Sequence, residues 1–200
     1  MEPDLNQFHT ELITEPPDSR ERRTGALRFI LDIVETLILS VILFAVINAV
    51  SARIRVDGAS MQPTLETGEF VIVNKLAYML GSPQVGDVIV FHFPRDPEQE
   101  YIKRVIGLPG DKVSVKDGRV SVNGQPLDES YIAAPPAYEA TWDVPPESLF
   151  VLGDNRNNSS DSHNWGAVPL DYVVGKAEFV YWPPTRWGML NGPSTAIAAP

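Results

Sequence analysis

The longest uncharged apolar run in the chain extends from Thr36 to Ala52, between Glu35 and Arg53. At about 1.5 Å of rise per residue, a helix of this length is near the short limit for crossing a bilayer. A chain with such a run must bury it in a core or place it in a membrane. The lack of charge favours the membrane, and we expect a transmembrane anchor helix over residues 27–52 rather than a buried core helix.

A cleaved signal peptide is another alternative, because Val50-Ser51-Ala52 has the small residues of a cleavage site. The segment before the run, however, is long and contains seven acidic residues ahead of Glu35, unlike the short basic region of a signal peptide. An anchor is therefore the preferred interpretation. The flanking arginines favour a cytoplasmic N-terminus: Arg20, Arg22, Arg23 and Arg28 precede the run, and Arg53 and Arg55 follow it.

The rest of the 200-residue chain is long enough for one compact domain. Residues 1–26 are polar without a periodic apolar face and predict a disordered cytoplasmic tail. Residues 53–185 are expected to form an extracytoplasmic β domain, and residues 186–200 a frayed C-terminal tail. The net charge of −10 argues against a nucleic-acid binder, and the absence of cysteine excludes disulfides, thiolate metal sites and a cysteine nucleophile.

Short runs of β-branched and aromatic residues, bordered by glycine and proline, indicate a mainly β fold with an antiparallel sheet behind one N-terminal transmembrane helix. An Asp-Gly pair within residues 112–122 predicts a hairpin, whereas residues 131–147 hold four prolines and predict an exposed loop. The predicted strands are Phe70–Asn74, Asp87–Phe93, Ser148–Gly153 and Val173–Trp182.

Three stretches of the predicted β domain carry candidate chemistry: residues 56–65 with Ser60, residues 101–107, and residues 153–162. A serine hydroxyl is a weak nucleophile and needs a base within hydrogen-bonding reach. His92 lies in a predicted strand between two phenylalanines and His163 follows an acidic loop, but nothing local selects either histidine as the partner of Ser60.

Lysine is the other possible base for a serine nucleophile. Its ordinary pKa, near 10.4, must be lowered by desolvation, and an apolar strand offers that burial at Lys103. Strand alternation places Lys103 and Arg104 on opposite faces. The pattern alone therefore leaves open which of the two basic residues points inward.

In this order and behind an apolar segment, the three stretches resemble the type I signal peptidases over roughly residues 30–185. The resemblance implies a signal-peptidase/LexA-like fold with Ser60 as the nucleophile, Lys103 as the general base and Ser159 as the residue that orients the lysine amine. It implies a serine endopeptidase that cleaves signal peptides from exported preproteins after small residues at positions −1 and −3. It also implies a single-pass protein of a bacterial-type plasma membrane, with the lipid bilayer as a partner and no cofactor, metal or nucleic acid.

In this family the oxyanion is held by the N–H of the nucleophilic serine and, in many members, by a hydroxyl two residues earlier. Gly58 occupies that earlier position here and has no side chain, so the second donor is open. The resemblance also implies shallow apolar pockets for small substrate side chains. Their expected lining is Ile54, Val56, Met61, Leu65, Tyr101 and Ile102.

The third stretch is expected to place Asp154, Arg156 and Asp161 as charged struts beside the site, with Arg104 as the partner of one acid. His163 stands where the family usually has arginine, which would make one ion pair dependent on pH. A calcium-binding loop is excluded, because Ser159 and Trp165 occupy the places where an EF-hand needs glycine and glutamate.

Two other functions are alternatives to signal-peptide cleavage. A self-cleaving repressor of the LexA kind is disfavoured, because the sequence shows neither a helix-turn-helix pattern nor a basic DNA-binding face. A non-catalytic, membrane-tethered β module that binds proteins is the third possibility.

Overall fold

The structure is a computed structural model that describes residues 19–190, with side chains from residue 28 onward. Helix α1 covers Ser19–Val50. Its Arg28–Val50 portion contains an 18-residue stretch with a mean hydropathy of 2.6 and is long and apolar enough to cross a membrane. Its hydroxyls bond within the helix, as where Thr36 Oγ1 donates to the Asp32 carbonyl at 2.7 Å. Polar side chains in an apolar segment are thereby satisfied locally.

Helix α1 differs from the predicted anchor at both ends. It begins at Ser19, so residues 19–26 are helical rather than part of a disordered tail, in keeping with their arginine, glutamate and alanine content and their lack of proline. It ends at Val50, and the next two residues already belong to a strand. Residues 1–18 of the expected tail lie outside the described residues.

Within the described residues, the chain from Ile47 to Leu190 forms a separate unit built of antiparallel sheets, which confirms the predicted fold class. Its one α-helix within the described residues, α2, covers Ser162–Trp165. The strands are β1 (Ser51–Arg55), β2 (Phe70–Asn74), β3 (Val88–Phe93), β4 (Asp96–Gly107), β5 (Lys112–Lys116), β6 (Arg119–Val122), β7 (Gln125–Pro126), β8 (Ala140–Asp143), β9 (Ser148–Leu152), β10 (Val168–Pro169), β11 (Val173–Trp182) and β12 (Gly188–Met189).

The larger sheet has the strand order β1-β2-β11-β3-β4-β9-β10, with β12 added to β11. The smaller sheet has the order β7-β6-β5-β8. Among residues 19–190, strand β1 is an edge strand, and its five residues pair with β2 alone. Strand β4 runs through the middle of the larger sheet, between β3 and β9.

Two predictions about irregular segments are wrong. The expected loop at residues 131–147 contains β8, which pairs with β5 and packs Trp142 beside Phe150, so tertiary pairing forms a strand between two proline pairs. The expected frayed tail from residue 186 contains β12, and Leu190 is buried in the core. Residues 191–200 lie outside the described residues.

The second half of β4 is buried on both faces, and this burial positions the candidate site. Ile102 packs in one apolar cluster of the unit, Val105 in a second and Ile106 in a third. Lys103 and Arg104 lie between them and are only 5% and 1% exposed. A strand with core on both sides therefore keeps both basic side chains almost entirely out of water.

Candidate active site

The turn that carries Ser60 is fixed by apolar side chains that follow it and by main-chain hydrogen bonds. Met61 and Leu65 are completely buried in the core, and the Leu65 N–H donates to the Met61 carbonyl at 2.9 Å. At the start of the segment, the Val56 N–H donates to the Glu69 carbonyl at 2.8 Å. Ser60 is therefore held on a short, anchored turn rather than on a loose loop.

Lys103 meets this turn from strand β4. Its Nζ lies 2.8 Å from Ser60 Oγ and donates to the Ile102 carbonyl at 2.9 Å. Burial lowers the pKa of Lys103 to about 8, and the nearby carboxylates of Asp161 and Asp154 oppose this shift only in part. A substantial share of Lys103 is thus neutral in mildly alkaline solution, as a general base requires.

Arg104 points to the opposite face of β4 and forms a buried ion pair with Asp154. Its Nε and Nη2 donate to the two carboxylate oxygens at 2.8 and 2.7 Å, and its Nη1 donates to the Gly86 carbonyl at 2.8 Å. The Thr64 hydroxyl donates to the same carboxylate at 2.5 Å. Asp154 therefore joins the strand of Lys103 to the turn of Ser60.

The segment after β9 packs directly on the Ser60 turn. Gly153 leaves no room for a side chain, since an added Cβ would collide with the Ser60 carbonyl oxygen and with Ser159. The Asp161 carboxylate stabilises this segment. It accepts a hydrogen bond from the Gly153 N–H at 2.9 Å and lies 2.6 Å from His163 Nδ1. His163 also stacks on Tyr138, with ring centroids 4.3 Å apart.

Arg156 is buried in a polar cluster that the sequence did not indicate. Its Nη1 pairs with Glu129 at 2.5 Å, and its Nη2 donates to the Tyr131 hydroxyl at 3.2 Å. The Tyr131 ring also lies under the Arg104 guanidinium, at 4.0 Å. Glu129 and Tyr131 come from the segment after β7, and a Glu-x-Tyr triplet alone gives no signal for such a role.

Three predicted or possible site residues form no hydrogen bond with Ser60 or Lys103 in the described part of the chain. Ser159 Oγ is buried and has no hydrogen-bond partner among the described residues, so the expected bond to Lys103 is not formed. His92 Nδ1 lies 3.0 Å from the Pro97 carbonyl, and His163 pairs with an aspartate. Neither histidine forms a hydrogen bond with Ser60 in the described part of the chain.

A cleft of about 740 Å³ opens above Ser60 and Lys103. Of the six residues expected to line substrate pockets, Ile54, Tyr101 and Ile102 line this cleft. The other three, Val56, Met61 and Leu65, are corrected to core residues, because their side chains pack inward. Residues 28–190 contain no group of three or more His, Asp or Glu side chains that could hold a metal ion.

Comparison with known proteins identifies the family of the chain. The model of the family described as signal peptidase, peptidase S26, matches residues 30–182. The chain belongs to the signal peptidase family. It is 46% identical over 171 residues to the signal peptidase I of Leptolyngbya laminosa, covering 80% of this chain and 83% of that protein.

Two further relatives extend this comparison. A probable signal peptidase I-2 of Synechocystis sp. is 45% identical over 169 residues, covering 80% of this chain and 77% of that protein. The crystal structure of a signal peptidase I from Enterococcus faecalis V583 is 36% identical and superposes with a TM-score of 0.44, covering 47% of this chain and 95% of that one.

The buried ion pair leads to a stability prediction. Asp154→Ala leaves the Arg104 guanidinium uncompensated in the core, and we expect it to lower the free energy of unfolding of the full chain in detergent by about 3–5 kcal/mol. The measurement is chemical denaturation. The control is Asp143→Ala, which removes an exposed pair with Lys112 and should cause no measurable loss. Equal effects of the two variants would show that Asp154 is not a structural link.

Proposed function

We propose that the protein is a membrane-anchored serine endopeptidase that removes N-terminal signal peptides from exported preproteins, with Ser60 as the nucleophile and Lys103 as the general base. The observation that carries this proposal is the 2.8 Å approach of the buried Lys103 amine to Ser60 Oγ beside an open cleft. Membership of the signal peptidase family supports it and suggests the substrate class.

The reaction follows from this pair of groups. Ser60 Oγ attacks the carbonyl carbon of the scissile bond while its proton passes to the neutral amine of Lys103. The tetrahedral intermediate collapses, the leaving amine takes that proton from Lys103, and an acyl-enzyme on Ser60 remains. A water molecule then attacks the ester and gives a proton to Lys103, which returns it to Ser60 Oγ as the acyl group departs.

Substrate selection is proposed to depend on the free edge of β1 and on the apolar lining of the cleft. An extended peptide can pair with an unpaired strand edge through main-chain hydrogen bonds, which do not depend on its sequence. Ile54, Tyr101 and Ile102 then contact its side chains, and we expect small residues at positions −1 and −3 to fit beside them.

The first test of the function is cleavage of a preprotein by the full chain in detergent, with the product identified by mass spectrometry. Lys103→Arg and Lys103→Ala should both lower kcat by about 1000-fold or more, because arginine keeps its proton and cannot act as a base. Ser60→Ala should be inactive and His92→Ala active. A non-catalytic binding module would show no Ser60-dependent cleavage, and an active Lys103→Arg variant would contradict the dyad.

The pH dependence of kcat/KM tests the same assignment independently. Lys103 is a charged ammonium below its pKa of about 8 and a neutral base above it, so activity should rise with pH through this value. A histidine base would place the inflection nearer to pH 6.5. An inflection in that lower range would contradict the role of Lys103.

Ser159 is proposed to orient the Lys103 amine. A neutral amine has two N–H groups, of which one bonds to the Ile102 carbonyl, and the buried Ser159 hydroxyl beside the Ser60 turn has no other partner among the described residues. Ser159→Ala should lower kcat by about 10- to 100-fold with little change in KM. Ser160→Ala, exposed at the rim, is the comparison, and an unchanged kcat in Ser159→Ala would exclude this role.

The anchor is proposed to place the N-terminus in the cytoplasm and residues 56–200 on the outer face of a bacterial-type plasma membrane. The apolar Arg28–Val50 helix and the excess of arginine on its N-terminal side support this orientation. Protease added to intact cells should digest the β unit while the protein resists carbonate extraction. Protection of the β unit from the protease would reverse the orientation.

A further inference from the structure

The peptide unit between Ala59 and Ser60 is the group whose orientation decides whether an oxyanion can be stabilised. In a planar trans peptide, the carbonyl and the N–H point in opposite directions. The direction of the Ala59 carbonyl therefore fixes that of the Ser60 N–H. Within the described part of the chain, the Ser60 N–H donates no hydrogen bond, and both residues line the cleft.

Asn155 bonds to the carbonyl end of this peptide unit, opposite the Ser60 N–H. Its Nδ2 donates to the Ala59 carbonyl at 3.1 Å, and its backbone N–H donates to the Ser60 carbonyl at 3.0 Å. One residue thus bonds to the carbonyls on both sides of the Ser60 Cα. A carbonyl can only accept, so the Asn155 amide must present its NH₂ group to Ala59.

The segment around Asn155 is itself rigid. Asp154 before it is completely buried in the ion pair with Arg104, and Arg156 after it is buried and donates to the Gly153 carbonyl at 3.1 Å. The Asn155 amide, which lies between these two buried residues, therefore keeps its direction while charge develops on the substrate. Pre-oriented donors stabilise a transition state because no reorganisation is needed during the reaction.

We propose that Asn155 is a positioning residue of the oxyanion site, which aims the Ser60 N–H into the cleft through its bond to the Ala59 carbonyl. The same bond polarises the peptide unit and strengthens its N–H as a donor. Because Gly58 contributes no hydroxyl, the reaction depends heavily on this N–H. The inference rests on the proposed function of Ser60 as the nucleophile.

The test compares Asn155→Ala and the isosteric Asn155→Asp with wild type in the full chain. Both variants remove the side-chain donor to the Ala59 carbonyl. They keep the backbone bond to Ser60 and the Gln62 N–H, which also donates to the Ala59 carbonyl at 3.2 Å. We expect kcat to fall by about 10- to 100-fold with KM nearly unchanged. The matched control is Asn157→Ala. Asn157 lies in the same segment but bonds to the backbone of Pro135 and Ala137.

A second measurement separates positioning from a general structural role. A peptide aldehyde with alanine at positions −1 and −3 adds Ser60 Oγ to its carbonyl carbon, the serine proton passes to Lys103, and the carbonyl oxygen becomes an oxyanion. Its inhibition constant should rise by the same factor as kcat/KM falls. Binding of the corresponding uncleaved peptide, measured with and without Asn155→Ala in a Ser60→Ala background, should be unchanged.

The outcomes separate the inference from the function on which it rests. Cleavage by wild type but not by Ser60→Ala, together with wild-type kcat or aldehyde affinity in the Asn155 variants, overturns only the role of Asn155. Equal losses in Asn157→Ala, or equally weakened binding of the uncleaved peptide, also overturn it. If Asn155→Ala does not fold, Asn155→Asp decides. Absence of Ser60-dependent cleavage in the wild type overturns the proposed function instead.

Discussion

The buried ion pair of Arg104 and Asp154 is the interaction on which the geometry of the site depends. Removing two charges from water is costly, and such a pair is tolerated only where its hydrogen-bonding groups are satisfied. Here the guanidinium bonds to the carboxylate and to the Gly86 carbonyl, and the carboxylate also accepts from Thr64. The pair links four segments of the chain, and a shift of either charged residue would leave a charge unpaired in the core.

Two nearby carboxylates, one of them that of Asp154, raise the pKa of Lys103, whereas its burial lowers that pKa. Asp154 and Asp161 favour the ammonium form, whereas the surrounding core disfavours it. Burial is the larger effect, and the pKa settles at about 8. Both acids bind other groups: Asp154 pairs with Arg104, and Asp161 contacts the Gly153 N–H and His163. These contacts limit the attraction of the two carboxylates for the lysine charge.

The sequence predicted those parts of the fold that depend on local pattern. Strands β2 and β11 have the predicted bounds, because uninterrupted runs of β-branched and aromatic residues specify them. Strand β8 was missed because its pairing with β5, rather than local composition, creates it. Alternation did not separate Lys103 from Arg104, since β4 is buried on both faces and the choice depends on which partner each side chain meets.

The sequence predicted which segments of the chain form the site. It did not predict which side chains contact each other there. The family resemblance brought Ser60 and Lys103 together, but Glu129 and Tyr131 lie far along the chain from Arg156 and contact it only in the folded unit. The family resemblance implied a substrate pocket lined by Val56, and its apolar character was compatible with that position. Apolar residues beside a cleft and beneath it look alike in a sequence, and only the direction of the side chain distinguishes them.

The division of the apolar residues near Ser60 has a consequence for how such an enzyme can evolve. Met61 and Leu65 anchor the turn from below, whereas Ile54, Tyr101 and Ile102 face the cleft. Ile102 also packs in the same apolar cluster as Met61 and Leu65, and Ile54 packs against that cluster. A mutation that reshapes this part of the cleft wall therefore also disturbs the packing beneath the turn, so a new peptide preference is acquired at some cost in stability.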